Sequence, residues 1–191
     1  MRKYPNITLL ERTKKEGLGF AYMDALRRIV DDEDIRAIVT MDADGSHPAE
    51  FLPALLAQID GYDYVIGSRY IKGAGIENWS IWRRLLSQGG NVYARTLIGL
   101  GVNDLTAGFT ATRRDLLKRI DLNKISATGY AYQMEMKFHC IYTHGGSVIE
   151  VPIIFKERRE GESKITSHIV REGLRVPLKL AFLKWFGSKK D

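Results

Sequence analysis

Short apolar runs along the chain alternate with segments of helical period. Ile7–Glu11, Ile35–Met41, Tyr62–Gly67, Ala107–Thr112 and Ser147–Phe155 read as strands, rich in β-branched and aromatic residues. Between them, residues 18–30, 48–59, 83–98, 114–120 and 129–142 carry apolar positions at helical spacing. Pro48 is placed in the first turn of its helix, and Gly17-Leu18-Gly19 forms the turn before the first. This alternation predicts an α/β fold, a mostly parallel sheet with helices on both faces. In such folds, chemistry gathers where strands end at their carboxyl termini.

At those ends the chain places its charges. The apolar strand Ile35–Met41 stops at Asp42-Ala43-Asp44-Gly45-Ser46-His47-Pro48, and Tyr62–Gly67 stops at Ser68-Arg69. Two carboxylates beside a buried strand are costly without a positive partner. Asp42 and Asp44 would hold Mg²⁺ or Mn²⁺, with Ser46 a third oxygen ligand, and such an ion would neutralise an anionic ligand such as a diphosphate. His47 is either a further ligand or a helix-start residue. Arg69 and Arg83 supply guanidinium forks for phosphate oxygens, and Arg84 is either a third or a solvated residue. Asp104 is a candidate base, an orienter of the acceptor, or a cap of the segment after it. Gln133 and Glu135 could face the site, with Met134 and Met136 in the core. Arg158, Ser163 and Lys164 surround a glycine turn that is either a site loop or a solvated charge run.

Composition narrows the partners. The chain has 191 residues, 45% hydrophobic and 27% charged, which suits a soluble globular domain with a real core. A net charge of +6 favours an anionic partner, and the absence of zinc-finger spacing, RNA motifs or basic heptads argues against nucleic acid. The single Cys140 excludes an internal disulfide, fits a reducing, cytoplasmic compartment, and reads as a buried thiol. No apolar run is long enough to span a membrane. Residues 163–191 are expected to form a separate basic amphipathic tail after a domain at 1–162. Its helix, kinked at Pro177, sets Ile165, Ile169, Val176, Leu180 and Leu183 beside Lys164, His168, Arg171, Arg175 and Lys179. Such a helix suits either a membrane surface or its own domain.

Together these segments resemble the dolichol- and polyprenol-phosphate mannose synthases, family 2 glycosyltransferases of GT-A (Rossmann-like) fold. The likeness runs from about Pro5 to Ile169. It rests on Lys15-Glu16-Gly17-Leu18-Gly19, the Asp42–Pro48 run and Gly67-Ser68-Arg69-Tyr70, then on Trp79, Arg83, Ser87 and Asn91. Asp104-Leu105-Thr106 with Gly108-Phe109, Gln133-Met134-Glu135-Met136, Val151-Pro152, and Arg158 with Gly161-Glu162-Ser163-Lys164 complete it. The resemblance implies inverting transfer of mannose from GDP-mannose to a polyprenyl monophosphate, with Asp44, Arg69 and Asp104 as catalytic residues. It implies substrate contacts from Gly17, Gly19, Asp42, Arg69, Arg83, Gln133, Glu135, Arg158, Ser163 and Lys164, and metal contacts from Asp42, Asp44 and Ser46. It also implies an N-terminally truncated form, lacking the first strand and base-binding loop of a typical member. Membrane attachment would then be peripheral, on the cytoplasmic face, or supplied by a membrane partner subunit. Two rivals remain open. One is a haloacid-dehalogenase-type phosphatase with Asp42 as nucleophile and Asp44 as acid/base. The other is a non-catalytic paralogue that binds prenyl phosphate or a partner subunit.

Overall fold

The computed structural model describes residues 6–14, 16–157 and 167–187. Helix α1 (Leu18–Ile29) buries Met23 and Leu26 on one face and ends on Arg27 and Arg28, whose charge complements the helix dipole. Strand β1 (Ala37–Thr40) follows, then a 3₁₀ turn (Ala49–Phe51) and the short α2 (Leu52–Leu56). Strand β2 (Tyr64–Ser68) is buried throughout, and β3 (Gly75–Ile76) leads to α3 (Ile81–Ile98). Ser80 caps α3 by accepting the Arg83 N–H at 3.3 Å. Strand β4 (Thr110–Arg113), α4 (Arg114–Arg119), α5 (Tyr132–Lys137), β5 (Val148–Pro152), β6 (Ile154–Phe155) and α6 (Ser167–Phe186) complete the order.

The main sheet runs β1-β4-β2-β5, and a two-stranded parallel sheet pairs β3 with β6. Three of the four main strands share one direction. β4 is antiparallel to both neighbours, with Thr110 opposite Thr40 of β1 and Ile66 of β2, while β5 is parallel to β2. That single reversal positions the site. The residues entering β4 lie at the same sheet edge as those leaving β1 and β2, so Asp104–Phe109 meets Asp42 and Arg69 there.

The sheet is covered on both faces, because side chains alternate along strands. Tyr64 and Ile66 join Met23, Leu26, Ile98, Leu105, Leu117, Met136 and Phe138 in the larger core. Val65 and Ala111 face the smaller one, with Leu55, Ile59, Phe109 and Ile153. Val176 and Leu180 of α6 belong to the larger core, so the carboxyl-terminal helix packs on the domain it follows.

Several expected boundaries move. Ile7–Glu11 forms no strand. An apolar run becomes one only where a neighbour takes its backbone bonds, and Ile7 and Leu9 remain exposed. The helix expected over 48–59 divides into the 3₁₀ turn and α2, with Pro48 capping the turn from outside. The helix expected to 142 loosens after Lys137 into a π-helical turn over Phe138–Thr143. The strand over 147–155 splits at Pro152–Ile153, its first half on β2 and its second on β3. Arg158, Ser163 and Lys164 lie outside the described residues.

Leu180→Ala is expected to cost about 2–4 kcal/mol and to lower the midpoint of one cooperative urea transition for the whole chain. An unchanged midpoint would mean that α6 melts on its own.

Candidate active site

The loop after β1 is shaped by its own polar atoms. His47 is buried and accepts the Asp42 N–H at Nδ1, 2.8 Å away. Burial lowers its pKa and keeps the ring neutral, and it packs on Phe109 and Phe155. His47 is therefore the clasp of this loop. Asp44 accepts the Ser46 N–H at 3.0 Å across Gly45, whose φ of 82° suits a residue without a Cβ. Asp42 accepts the Tyr22 hydroxyl at 3.3 Å, and Tyr22 stacks on Tyr132. Burial and the nearby Asp42 charge push the Tyr22 phenol upward, so it remains a donor.

Arg69 leaves β2 into a nearly dry cradle. Its Nε and Nη2 each donate to Asp104 at 2.8 Å, its backbone N–H donates to the same carboxylate at 3.0 Å, and Nη2 reaches Thr106 at 2.6 Å. Asp104 is fully buried. Burial alone would raise its pKa, but the Arg69 charge and hydrogen bonds outweigh it and hold the carboxyl below its ordinary value. A carboxylate so acidic, with both oxygens engaged, fits a holder of Arg69 better than a base. Glu150 of β5 fixes this loop from beneath, accepting the Asp104 N–H at 2.9 Å and the Asn103 N–H and side-chain amide at 2.7 Å. Asn91 of α3 accepts the Leu105 N–H. Lys137, also fully buried, donates to the Ala107 carbonyl at 2.7 Å, and burial depresses its pKa to about 8 despite the Asp104 charge.

One cavity of about 600 Å³ draws these elements together. Asp42, Ser46, Arg69, Arg83 and Gln133 line it; Gly17, Gly19, Asp44, Asp104 and Glu135 do not. Arg83 bonds Glu157 at 3.0 Å and lies 4.2 Å over the Trp79 ring, while Arg84 is turned away onto the Ile76 carbonyl. The residues off the cavity have structural partners. Glu135 accepts from Ser126, Ala127 and Lys179. Gly17, at φ 113°, and Gly19 allow α1 to approach the 127–128 backbone, where a Cβ would lie 2.4 and 2.3 Å from carbonyl oxygens. Thr128 and Gly129 are in turn held by Glu172 of α6.

The fit of a divalent cation can be judged from the oxygen atoms present. Among the described residues no three His, Cys, Asp or Glu side chains converge on one point. The Ser46 hydroxyl, however, is buried without a hydrogen-bond partner among them, an arrangement that costs about 1–3 kcal/mol unless a ligand takes it up. Asp42, Asp44 and Ser46 thus fit as an oxygen donor set, incomplete by itself and suited to a hard cation whose remaining positions a substrate fills.

Residues 1–121 match the family described as Glycosyl transferase family 2. The chain belongs to that family. Among curated relatives, the polyprenol monophosphomannose synthase of Mycolicibacterium smegmatis is 44% identical over 88% of this chain and 63% of its own length. The undecaprenyl-phosphate mannosyltransferase of Micrococcus luteus is 42% identical over 89% of the chain and 69% of its own length. The dolichol-phosphate mannosyltransferase of Pyrococcus furiosus is 36% identical over 97% and 50%. The chain therefore spans about half to two thirds of these relatives. In architecture it is similar to glucosyl-3-phosphoglycerate synthase from Mycobacterium tuberculosis, solved with Mn²⁺ and UDP-glucose. There the TM-score is 0.58 at 17% identity, over 91% of this chain and 56% of that one, a likeness of fold. The fold is that of the GT-A glycosyltransferases.

Within this family 2 chain, four site residues escape a reading of the sequence. Glu150 sits mid-strand, Lys137 ends a methionine-rich helix, and Tyr22 and Tyr132 belong to amphipathic patterns. Only their placement beside Asp104 and Asp42 gives them a role. Cys140, expected to be a buried thiol, is fully buried with its pKa pushed up to about 12.

Lys137 gives a pH signature. Below about pH 8 both folded and unfolded chains hold its proton. Above it the folded chain has released that proton while the unfolded chain keeps it to about 10.5, so stability rises with pH. Cys140 opposes the rise above about pH 9, where only the unfolded thiol ionises. Between pH 8 and 9, wild type should gain about 1 kcal/mol relative to Lys137→Met in urea denaturation. Parallel curves for the two proteins would show that the folded lysine keeps its proton.

Proposed function

We propose that the protein transfers mannose from GDP-mannose to a polyprenyl monophosphate, with inversion, and that a divalent cation assists. The observation that carries this reading is the polarity of the cavity of about 600 Å³. One end holds Asp42, Ser46 and Arg69; the other lies between α3 and α6, walled by Leu86, Val170 and Leu174. Such a space suits a substrate charged at one end and greasy at the other. The naming of the curated relatives as mannose transferases to polyprenyl, undecaprenyl or dolichyl phosphate supports the same choice.

The chemistry asks little of a base. A phosphate monoester carries about −1.5 to −2 charge at pH 7, so its oxygen is already a nucleophile. The difficulty is repulsion from the donor diphosphate, about 4 kcal/mol per pair of unit charges at ~4 Å and an effective dielectric near 20. Arg69, held immobile by Asp104 and Thr106, presents a fixed positive charge at the reacting end, and Arg83 adds a second further along the cavity. Mg²⁺ or Mn²⁺ held by Asp42, Asp44 and Ser46 would neutralise the diphosphate and ease its departure. Asp104 acts through Arg69 as a positioning residue, and inversion follows from a single displacement.

The outer surface supports a peripheral hold on a membrane, which this reading puts on the cytoplasmic face. Val170, Leu174, Leu178, Phe182 and Phe186 are exposed at four-residue spacing along α6, and Ile81, Trp82 and Leu85 are exposed at the start of α3. Arg171 and Arg175 are exposed on the same helix and suit anionic headgroups. Among the described residues no helix is long and apolar enough to cross a membrane.

Incubation with labelled GDP-mannose, Mg²⁺ or Mn²⁺ and a polyprenyl phosphate in detergent should give organic-extractable label. Chelation should abolish it, and Asp44→Asn should lower it at least 100-fold. Phosphate released from simple monoesters without label transfer would favour a phosphatase, and lipid binding without turnover a non-catalytic protein. The rate should rise through about pH 6 with the second ionisation of the acceptor phosphate. A phosphonate acceptor, which ionises at higher pH, should move that midpoint upward. A midpoint indifferent to the acceptor would instead mark a titrating protein base.

A further inference from the structure

Three glycines line the apolar part of the cavity: Gly89 and Gly90 on α3 and Gly173 on the facing α6. None adopts positive φ, and a Cβ at each would meet no atom within 4 Å. Glycine is also, after proline, the residue least suited to a helix interior. Gly89 and Gly90 are exposed and Gly173 is half-buried, so among the described residues the three leave the facing walls of α3 and α6 without side chains.

A second observation points to a ligand in the cavity. The Ser46 hydroxyl at its polar end is 2% exposed and lacks a hydrogen-bond partner among the described residues, as does the buried Trp79 indole N–H. Both residues line the cavity, so a ligand within it can supply a partner to each. Arg69 favours an occupant with an anionic head, and Leu86, Val170 and Leu174 favour an apolar tail.

We infer that Gly89, Gly90 and Gly173 set the girth of the lipid passage, leaving room for the methyl branches of a prenyl chain. The inference rests on the proposed prenyl phosphate acceptor and assigns these positions to acceptor selection. A linear alkyl chain is slimmer and needs no such room. Side chains placed at the glycines should therefore exclude the branched tail before the straight one.

The test is binding, measured without turnover. Farnesyl phosphate and dodecyl phosphate, each below its micellar concentration, are titrated into wild type, Gly90→Leu and Gly173→Leu, following tryptophan fluorescence, to which Trp79 in the cavity contributes. Each variant should weaken farnesyl phosphate at least tenfold while dodecyl phosphate changes less than twofold. The Gly90→Ala/Gly173→Ala double variant, with better helix formers at both positions, should melt no lower than wild type and shift selectivity in the same direction. Unchanged affinities, equal losses for both lipids, or no farnesyl phosphate binding by wild type would overturn the inference. Glycine-dependent binding without mannosyl transfer would uphold the passage and overturn the reaction proposed for it. Transfer by wild type with a lipid preference indifferent to the glycines would do the reverse.

Discussion

The buried pair of Arg69 and Asp104 is the constraint around which the site is organised. Taking two charges out of water costs several kcal/mol per ion before their attraction returns it, so such a pair adds little net stability. What it adds is position. Arg69 donates three times to one carboxylate, and its fourth bond reaches Thr106, so the guanidinium has little freedom left. Asp104 in turn depends on Glu150 and on the order of strands that places β5 beside β2. Loss of either partner would strand a charge in a dry interior, which makes the pair intolerant of change while contributing modestly to the fold.

The reversal of β4 is the topological counterpart of this pair. Were β4 parallel to its neighbours, residues 104–109 would enter the sheet at the opposite edge, far from Asp42 and Arg69. Because it is antiparallel, one edge collects two strand exits and one strand entry. Lys137 completes the arrangement from α5. Every residue of α5 is buried, and its polar side chains each bond a specific partner: Glu135 the 126–127 backbone, Lys137 the Ala107 carbonyl. A helix with no solvent-facing side offers its charges nowhere else to go.

Much of the fold was legible because period and punctuation are local. α1, α3, β1, β2 and β4 stand within a few residues of where apolar spacing puts them, and charges at the ends of β1 and β2 drew attention to Asp42, Asp44 and Arg69. The illegible parts are those decided by distant neighbours. Ile7–Glu11 has the composition of a strand without a strand beside it. The π-helical turn after Lys137 is a shift in backbone bonding that leaves no mark on side-chain pattern. Asp104 could be read as base, orienter or cap, and only its contact with an arginine 35 positions earlier separates these. The glycines of α3 and α6 carry no signal of their own in the sequence, because only the facing of the two helices groups them.

The attachment of α6 has a mechanical meaning. Glu172 grips the backbone of Thr128 and Gly129 near its start, and Lys179 bonds Ser126 and Glu135 two turns on. Leu180 is sunk in the core beneath. A flexible tether restricts how far a domain strays from a surface but leaves its tilt free. A 20-residue helix some 30 Å long, clamped along its length, restricts tilt instead. Any surface that takes up the apolar stripe of α6 therefore acquires the whole domain in one attitude, with the mouth between α3 and α6 held at a set angle to that surface.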